Sequence, residues 1–379
     1  QRASDPHHRI AADLQMEIGG SALDGNLQQV VDMHDTILPV ASGLSRKPQD
    51  KSQFALDIAN RDSSGVQQSM SAMIEITNTT PPSTPPEPLD PAKLDFGRMC
   101  SPNFFVMDYR DGEWRDARIQ PVEPFQMHPA TSVLHYAQTI FEGMKAYRHE
   151  DGTIALFRPE LNAKRFQLSA ERMMIPVVDE QFFVHAVSAL VENERHWVPP
   201  SPGCFYIRPT AMGVDEALGV RSASNFLFYV LTLPSGPYFA GTGTGPKAID
   251  VYVAQSIARS APGMTGSVKA GANYGPTLQI TDHAKHLGCA QVLFLDAINR
   301  KNVEEMGGMN VMFVEKGRLR TPPLAGTILN GVTRASLLQI GRDMGLEVSE
   351  DPITIDEVRA GAKDGTITEM MACGTAAVV

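Results

Sequence analysis

Three short segments in the C-terminal half carry residue types arranged for chemistry. GSVKAGANYGPT sets Lys269 among glycines and other small residues. Burial in such a loop favours a neutral amine, the nucleophile that condenses with a carbonyl; a loop lysine with a pairing carboxylate is the other reading. In LNGVTRASLLQIGRDMG, Asn330-Gly331 precedes a helix pattern, so the N–H groups of Gly331, Val332 and Thr333 stand at a helix N-terminus. Unpaired donors and a positive dipole end suit a phosphate there, although capping by Asn330 or Thr333 would give the same pattern. ACGTAAVV offers Gly374, Thr375 and Ala376 for close backbone approach and a hydroxyl contact, or equally for a tight strand turn. A fourth glycine-rich stretch, SGPYFAGTGTGPK, reads as a connector, because Pro246 precedes Lys247 where a phosphate loop needs glycine.

The elements that must position these loops are legible in outline. FFVMDYRDGEW and HEDGTIALFRP each place Asp-Gly between strand-like runs, a hairpin signal. ELNAKRFQLSAERM reads as an amphipathic helix with Leu161, Phe166, Leu168 and Met173 inside. FYIRPTAMGV and FLFYVLTLP are apolar and β-rich, completing a mixed α/β unit near Pro234. Beyond the connector come the strand IDVYVA, the helix TLQITDHAKHLG, the strands QVLFLD and MNVMFVEKG, the helix GVTRASLLQIGRDMG and a last strand in ITEMMACGTAAVV. That strand ends without a turn or cap, so the expectation is that further residues follow it. Residues 1–69 lack a core-forming pattern, and the prolines from Pro81 to Pro91 predict an extended linker. Met70 or Met73 is a candidate initiator, which would make the first segment upstream translated sequence.

Composition narrows the class. A chain of 379 residues predicts two domains plus extras. A formal charge of −10 argues against nucleic-acid binding, while leaving room for a local cationic pocket. No apolar run reaches membrane-spanning length, and QRASDPHHRIAADLQ has no hydrophobic core of the signal-peptide kind. Cys100, Cys204, Cys289 and Cys373 are scattered, as in a protein of a reducing compartment; the expected location is the cytoplasm. His283 and His286 form the one close helical pair of histidines, and no carboxylate arrangement completes a metal site.

Taken in order, KxGxNYG, E-x-GGMN, GVTR and the GTA turn resemble the aminotransferases of pyridoxal-phosphate fold type IV. FEGMKAY, LFRPELNAKR and YIRPTAMG upstream are similar to the branched-chain amino-acid aminotransferases in particular. The resemblance covers about residues 94–379. It implies a mixed α/β architecture of two domains with the cofactor at their interface: a small domain over 94–236, an interdomain loop over 237–247 and a larger cofactor domain over 248–379, C-terminally truncated. Residues 1–93 would be an extension and linker, expected to be disordered.

The resemblance also implies roles. Lys269 matches the lysine that holds pyridoxal 5′-phosphate as a Schiff base and moves the α-proton. Glu305 matches the carboxylate on the pyridine nitrogen, which keeps the ring an electron sink. Tyr274 matches the phenol beside the 3-oxygen. Arg165 matches the phosphate arginine, with Gly331, Val332, Thr333 and Thr375 completing the cradle; a solvated helix face is the alternative, since Arg158 and Arg172 lie seven residues to either side. Phe96, Phe141, Tyr206 and Tyr238 match pocket-lining residues, with Thr375 and Ala376 on the substrate side. Tyr136 matches a tyrosine reaching the substrate carboxylate from the partner subunit of a homodimer, and Leu218 and Val220 lie in a loop that crosses that interface. Arg208, two residues from Tyr206 on the same strand face, is the candidate partner for a glutamate side-chain carboxylate; a structural salt bridge is the alternative.

Two departures stand out. Gly308 replaces a threonine found in some relatives, and Ala377 replaces the first cysteine of a thiol pair found in others, so no such thiol regulation is expected. The expected reaction is amino transfer between branched-chain L-amino acids and 2-oxoglutarate. D-amino-acid transaminase, aminodeoxychorismate lyase and a non-catalytic cofactor-binding fragment remain the alternatives.

Overall fold

The computed structural model describes residues 37–39, 74–236 and 248–376. Its first sheet is antiparallel apart from one short edge pairing. The strands are β1 (Ile37–Pro39), β2 (Thr77–Asn78), β3 (Asn103–Arg110), β4 (Glu113–Pro121), β5 (Thr139–Phe141), β6 (Met144–Arg148), β7 (Ile154–Phe157), β8 (Cys204–Gly213) and β9 (Phe226–Ser235). They run in the order β1-β7-β6-β8-β9-β3-β4-β2, with β5 on β8. The β3–β4 turn takes positive φ at Asp111 and Gly112, 54° and 86°, as the Asp-Gly signal requires. Helices α1 (Ser132–Tyr136), α2 (Pro159–Arg172) and α3 (Glu180–Asn193) belong to this half. Phe166 of α2 and Phe183 of α3 pack on Phe228 of β9, with ring centroids 5.4 and 6.0 Å away.

The second sheet holds β10 (Val251–Ala254), β11 (Gln291–Leu295), β12 (Val303–Met306), β13 (Met309–Glu315), β14 (Arg318–Thr321), β15 (Val348–Glu350) and β16 (Ile367–Cys373). They run in order from β10 to β15, with β16 on β13. Its helices are α4 (Leu278–His286), α5 (Val332–Asp343) and α6 (Ile355–Asp364). Strand alternation on β13 separates two cores. Val311 and Phe313 pack with Ile355 and Val358 of α6, while Met312 packs with Leu338 of α5. Burial on both faces explains why residues 311–314 of this strand read as an unbroken apolar run.

Two expectations need correction. Residues 74–93, expected to be disordered, lie along the first sheet. β2 pairs with β4, Ile74 and Ile76 pack on the core, Asn78 donates to Asn193 and Trp197 donates to Ser83. Proline bars a central strand but not a path along an edge. On α2, Leu168 is 59% exposed, not inside; the buried face carries Asn162, Ala163, Arg165, Phe166, Ser169 and Ala170. The interdomain loop expected over 237–247, with Tyr238, lies outside the described residues, as does Ala377. Among the described residues no helix is long and apolar enough to cross a membrane.

Candidate active site

The lysine loop is held by the other half of the molecule. Phe141 N–H donates to the Lys269 carbonyl at 3.1 Å, and Ser169 Oγ of α2 accepts from Lys269 N–H at 3.0 Å. Gly271 is required beside this junction, because a Cβ there would sit 2.5 Å from Thr139 Cγ2. The half-buried Lys269 side chain places Nζ 3.2 Å from Tyr274 Oη and 4.6 Å from the centre of the Phe141 ring. Lysine and phenol therefore meet.

Glu305 rises from β12 into a buried position, 2% exposed. Its Oε1 accepts from Leu329 N–H at 3.0 Å and Asn310 Nδ2 at 3.2 Å. Arg259 Nε stands 2.6 Å from Oε2, a close ion contact whose N–H is not aligned on the oxygen. Burial pushes the Glu305 carboxyl above the ordinary range, against the opposing pull of Arg259 and the Leu329 N–H. Adjacent Glu304 turns away, as an extended β12 dictates, and accepts from Thr327 Oγ1.

Arg165 is buried, not solvated, at 8% exposure. Its Nε and Nη2 donate to the two oxygens of Glu142 at 2.7 and 2.8 Å, and Nη1 donates to the Asn330 carbonyl at 3.0 Å. Asn162 and Gly143 N–H also donate to Glu142. Burial pushes the Glu142 carboxyl up, but Arg165 outweighs it and holds the group below the ordinary carboxylate range. A guanidinium has five N–H donors; with three engaged, two remain for an anion. Arg158 and Arg172, the neighbours at seven-residue spacing, also reach the second half, at Ser336 Oγ and the Gly263 carbonyl.

The segment from Leu329 to Thr333 joins these groups. Leu329 N–H binds Glu305, the Asn330 carbonyl binds Arg165, and Gly331 is the N-cap of α5, which has no side-chain cap. Neither Asn330 nor Thr333 performs the capping that would have explained the motif without a ligand. A Cβ at Gly331 would collide with Asn310 Oδ1, so any larger residue must displace that side chain. Val332 and Thr333 open the helix. Thr375 follows β16, whose Cys373 pairs with Asn310 beside this segment, and Lys145 Nζ donates to the Ala376 carbonyl at 3.3 Å. A Cβ at Gly308 would meet the Tyr274 ring edge at an ordinary 3.7 Å.

The proposed substrate residues partly converge. Arg208 stacks its guanidinium 4.6 Å from the Phe141 ring centre and 5.2 Å from that of Tyr206, and donates to Tyr206 Oη at 2.9 Å. It makes no ion pair among the described residues, so the structural salt bridge is not found there. Phe96 packs edge-on to Tyr206 at 4.8 Å, and Phe141 lies 5.0 Å from Tyr274. Tyr136 stands apart, with its hydroxyl donating to the Leu218 carbonyl.

Four residues of this arrangement were not singled out from sequence: Glu142, Ser169, Arg259 and Asn310. Glu142 and Asn310 sit inside motifs already noted, FEGMKAY and E-x-GGMN, so proximity was their signal. Arg259 and Ser169 had none. The donor set fits an elongated group with a carbonyl near Lys269, a cationic ring nitrogen at Glu305 and an anionic end between Arg165 and α5. Among the described residues no cluster of His, Cys, Asp and Glu could hold a metal ion.

The amino-transferase class IV family model matches residues 139–379. A probable branched-chain-amino-acid aminotransferase of Streptomyces coelicolor is 44% identical over 291 residues, 76% of this chain and 80% of that protein. Branched-chain-amino-acid transaminase 1 of Bacillus subtilis is 44% identical over 292 residues, 76% of this chain and 82% of its own. A solved branched-chain amino acid aminotransferase complexed with N-(5′-phosphopyridoxyl)-L-glutamate is similar with a TM-score of 0.56 and 26% identity, covering 72% of this chain and 82% of that one.

Proposed function

The chain belongs to the amino-transferase class IV family, and we propose that it moves the amino group of leucine, isoleucine or valine onto 2-oxoglutarate, using pyridoxal 5′-phosphate and yielding a branched-chain 2-oxo acid and L-glutamate. The observation that carries this reading is the assembly of Lys269, Tyr274, Glu305 and Arg165 from three separate segments, with Lys269 on Tyr274 and with Glu305 and Arg165 linked through Leu329 and Asn330. The names of the relatives support the substrate class, and the phosphopyridoxyl-glutamate ligand of the solved relative supports both the cofactor and glutamate.

In this reading the cofactor, when bound, supplies the electron sink for a carbanion at the substrate α-carbon. Lys269 Nζ takes the proton from that carbon and returns it on the other side of the reaction. Tyr274 orients the amine through its hydroxyl. Glu305, with Arg259 and Asn310 behind it, holds the positive charge of the ring nitrogen. Arg165 and the first N–H groups of α5 grip the phosphate, with Thr375 adding a hydroxyl. Phe96, Phe141 and Tyr206 give apolar walls for branched side chains, while Arg208 receives the second carboxylate of glutamate. We assign a second copy of this chain as the macromolecular partner: Tyr136, Leu218 and Val220 are 37, 61 and 87% exposed, a grouping that calls for cover.

The test is to load the protein with pyridoxal 5′-phosphate, reduce with borohydride and map the labelled peptide, then follow the cofactor spectrum with single L- and D-amino acids. Label on GSVKAGANYG and consumption of L-leucine, L-isoleucine and L-valine are expected. Label on Lys145, or reaction with D-isomers alone, overturns the reading.

A further inference from the structure

We propose that Ser169 is a positioning residue for Lys269, setting the reactive amine in register with Arg165. The inference rests on the proposed function and adds a residue that its chemistry does not itself require.

Ser169 is fully buried, at 0% exposure, one helical turn beyond Arg165 on α2. Its hydroxyl is engaged twice: it donates to the Arg165 carbonyl at 2.9 Å and accepts from Lys269 N–H at 3.0 Å. A serine in mid-helix ordinarily returns its hydroxyl to the preceding turn, with some cost to the helix. Here the same oxygen reaches across to a loop of the other sheet. On the far side, the Lys269 carbonyl accepts from Phe141 N–H, and Ile140 bridges to Ala270. Both peptide groups of Lys269 are therefore fixed by the first half of the molecule, and only its side chain remains to move. The residue that grips the anionic end and the residue that meets the carbonyl end hang from one turn of one helix.

The backbone contact from Phe141 cannot be removed by a side-chain change, but the Ser169 contact can. Ser169→Ala leaves the Lys269 N–H without its buried acceptor, and such an unsatisfied group lets the loop shift toward another partner. Small shifts cost much in a condensation that needs aligned atoms. Capture of a carbonyl by Lys269, which forms the C=N bond with loss of water, should weaken, while the anionic grip of Arg165 is retained.

The experiment measures binding of two probes to the apoprotein, pyridoxal 5′-phosphate and pyridoxine 5′-phosphate. The second has an alcohol where the first has an aldehyde, so the ratio of their affinities isolates the contribution of Lys269. Ser169→Ala is expected to lower that ratio by roughly five- to a hundredfold, with pyridoxine 5′-phosphate bound within about twofold of wild type. Ser101→Ala, which removes another buried hydroxyl within the first sheet, is expected to lower thermal stability and leave the ratio unchanged. If Ser169→Ala leaves the ratio unchanged, or both alanine variants lower it equally, the positioning role is overturned. Should the alanine protein not fold, Ser169→Cys, with a larger and weaker acceptor, is read on the same scale: a lower ratio supports the role and an unchanged one overturns it. A wild-type protein that binds both probes alike would instead overturn the function of Lys269, and this inference with it.

Discussion

Replacing Arg208 by methionine should divide the two half-reactions. Arg208 lies between Phe141 and Tyr206, with hydrogen bonds to the Tyr206 hydroxyl and no ion pair among the described residues. In the proposed reaction only glutamate or 2-oxoglutarate brings a second carboxylate to it. Without the guanidinium that carboxylate is desolvated and unpaired, a loss of about 3–4 kcal/mol, or roughly two to three decades in kcat/KM. Leucine makes no such demand. Its half-reaction should lose only what the stacked guanidinium contributes to keeping the two rings in place, about 0.5–2 kcal/mol, or roughly two- to thirtyfold. Methionine keeps an unbranched apolar stem, so the rings retain contact. Single-turnover kinetics with leucine and with glutamate read the two losses separately. Equal losses would mean that Arg208 serves the packing of the site, and equal retention would mean that the glutamate carboxylate is held elsewhere.

Three further outcomes are expected. Glu305→Gln should lower turnover by at least about a hundredfold while reducing cofactor affinity less, because Arg259 and the ring nitrogen then share no anion; wild-type turnover would refute the role. Gly331→Ala should destabilise the protein by about 1–3 kcal/mol in urea unfolding, because the new methyl must displace Asn310, which donates to both Glu305 and the Leu329 carbonyl; an unchanged midpoint would contradict the close contact. For Asp215, burial raises the carboxyl, but the N–H groups of Asn225 and Ser224 outweigh it and leave the group below its usual range, so its contribution is complete above the unfolded value of 3.8 and fades as pH falls below it. Protection of the Ser224 and Asn225 amides, relative to their intrinsic exchange rates, should fall over that acid range in the wild type and be low at neutral pH in Asp215→Asn; pH-independent protection would refute the linkage.

The hairpins, the glycine-framed lysine loop and most second-half elements were legible because each is specified locally, by an Asp-Gly turn, a run of small residues or an alternating apolar run. What sequence hid is non-local. The Glu142–Arg165 pair joins residues 23 apart, and nothing around Arg259 indicates that it ends beside Glu305. The α2 helix misled for a physical reason. Reading apolar residues inward put Leu168 in the core, yet the helix turns Arg165 and Ser169 toward a polar junction and leaves Leu168 outside. Periodicity assumes that the buried face meets oil; here part of it meets chemistry. The proline segment misled similarly, since residues unable to join a sheet centrally can still run along its edge.

The two buried carboxylates differ in a way that orders the site. Glu142 is held below the ordinary range by Arg165, whereas Glu305 stays above it despite Arg259 at 2.6 Å. Both are fully enclosed, so the difference lies in compensation. Glu142 receives two aligned guanidinium donors, a side-chain amide and a peptide N–H; Glu305 receives a peptide N–H, an amide and an arginine whose Nε–H is not aligned on it. The first end is complete in itself and can present its spare guanidinium N–H groups without rearranging. The second holds its one cation without an aligned hydrogen bond, and a protonated ring nitrogen would supply an aligned donor. Because Leu329 contacts one carboxylate and Asn330 the arginine paired with the other, filling the Glu305 end should also tighten the anionic end. Inorganic phosphate should then bind the apoprotein more tightly when unphosphorylated pyridoxine is present, and Glu305→Gln should abolish that gain. Equal phosphate affinity with and without pyridoxine in the wild type would mean that the two ends act independently.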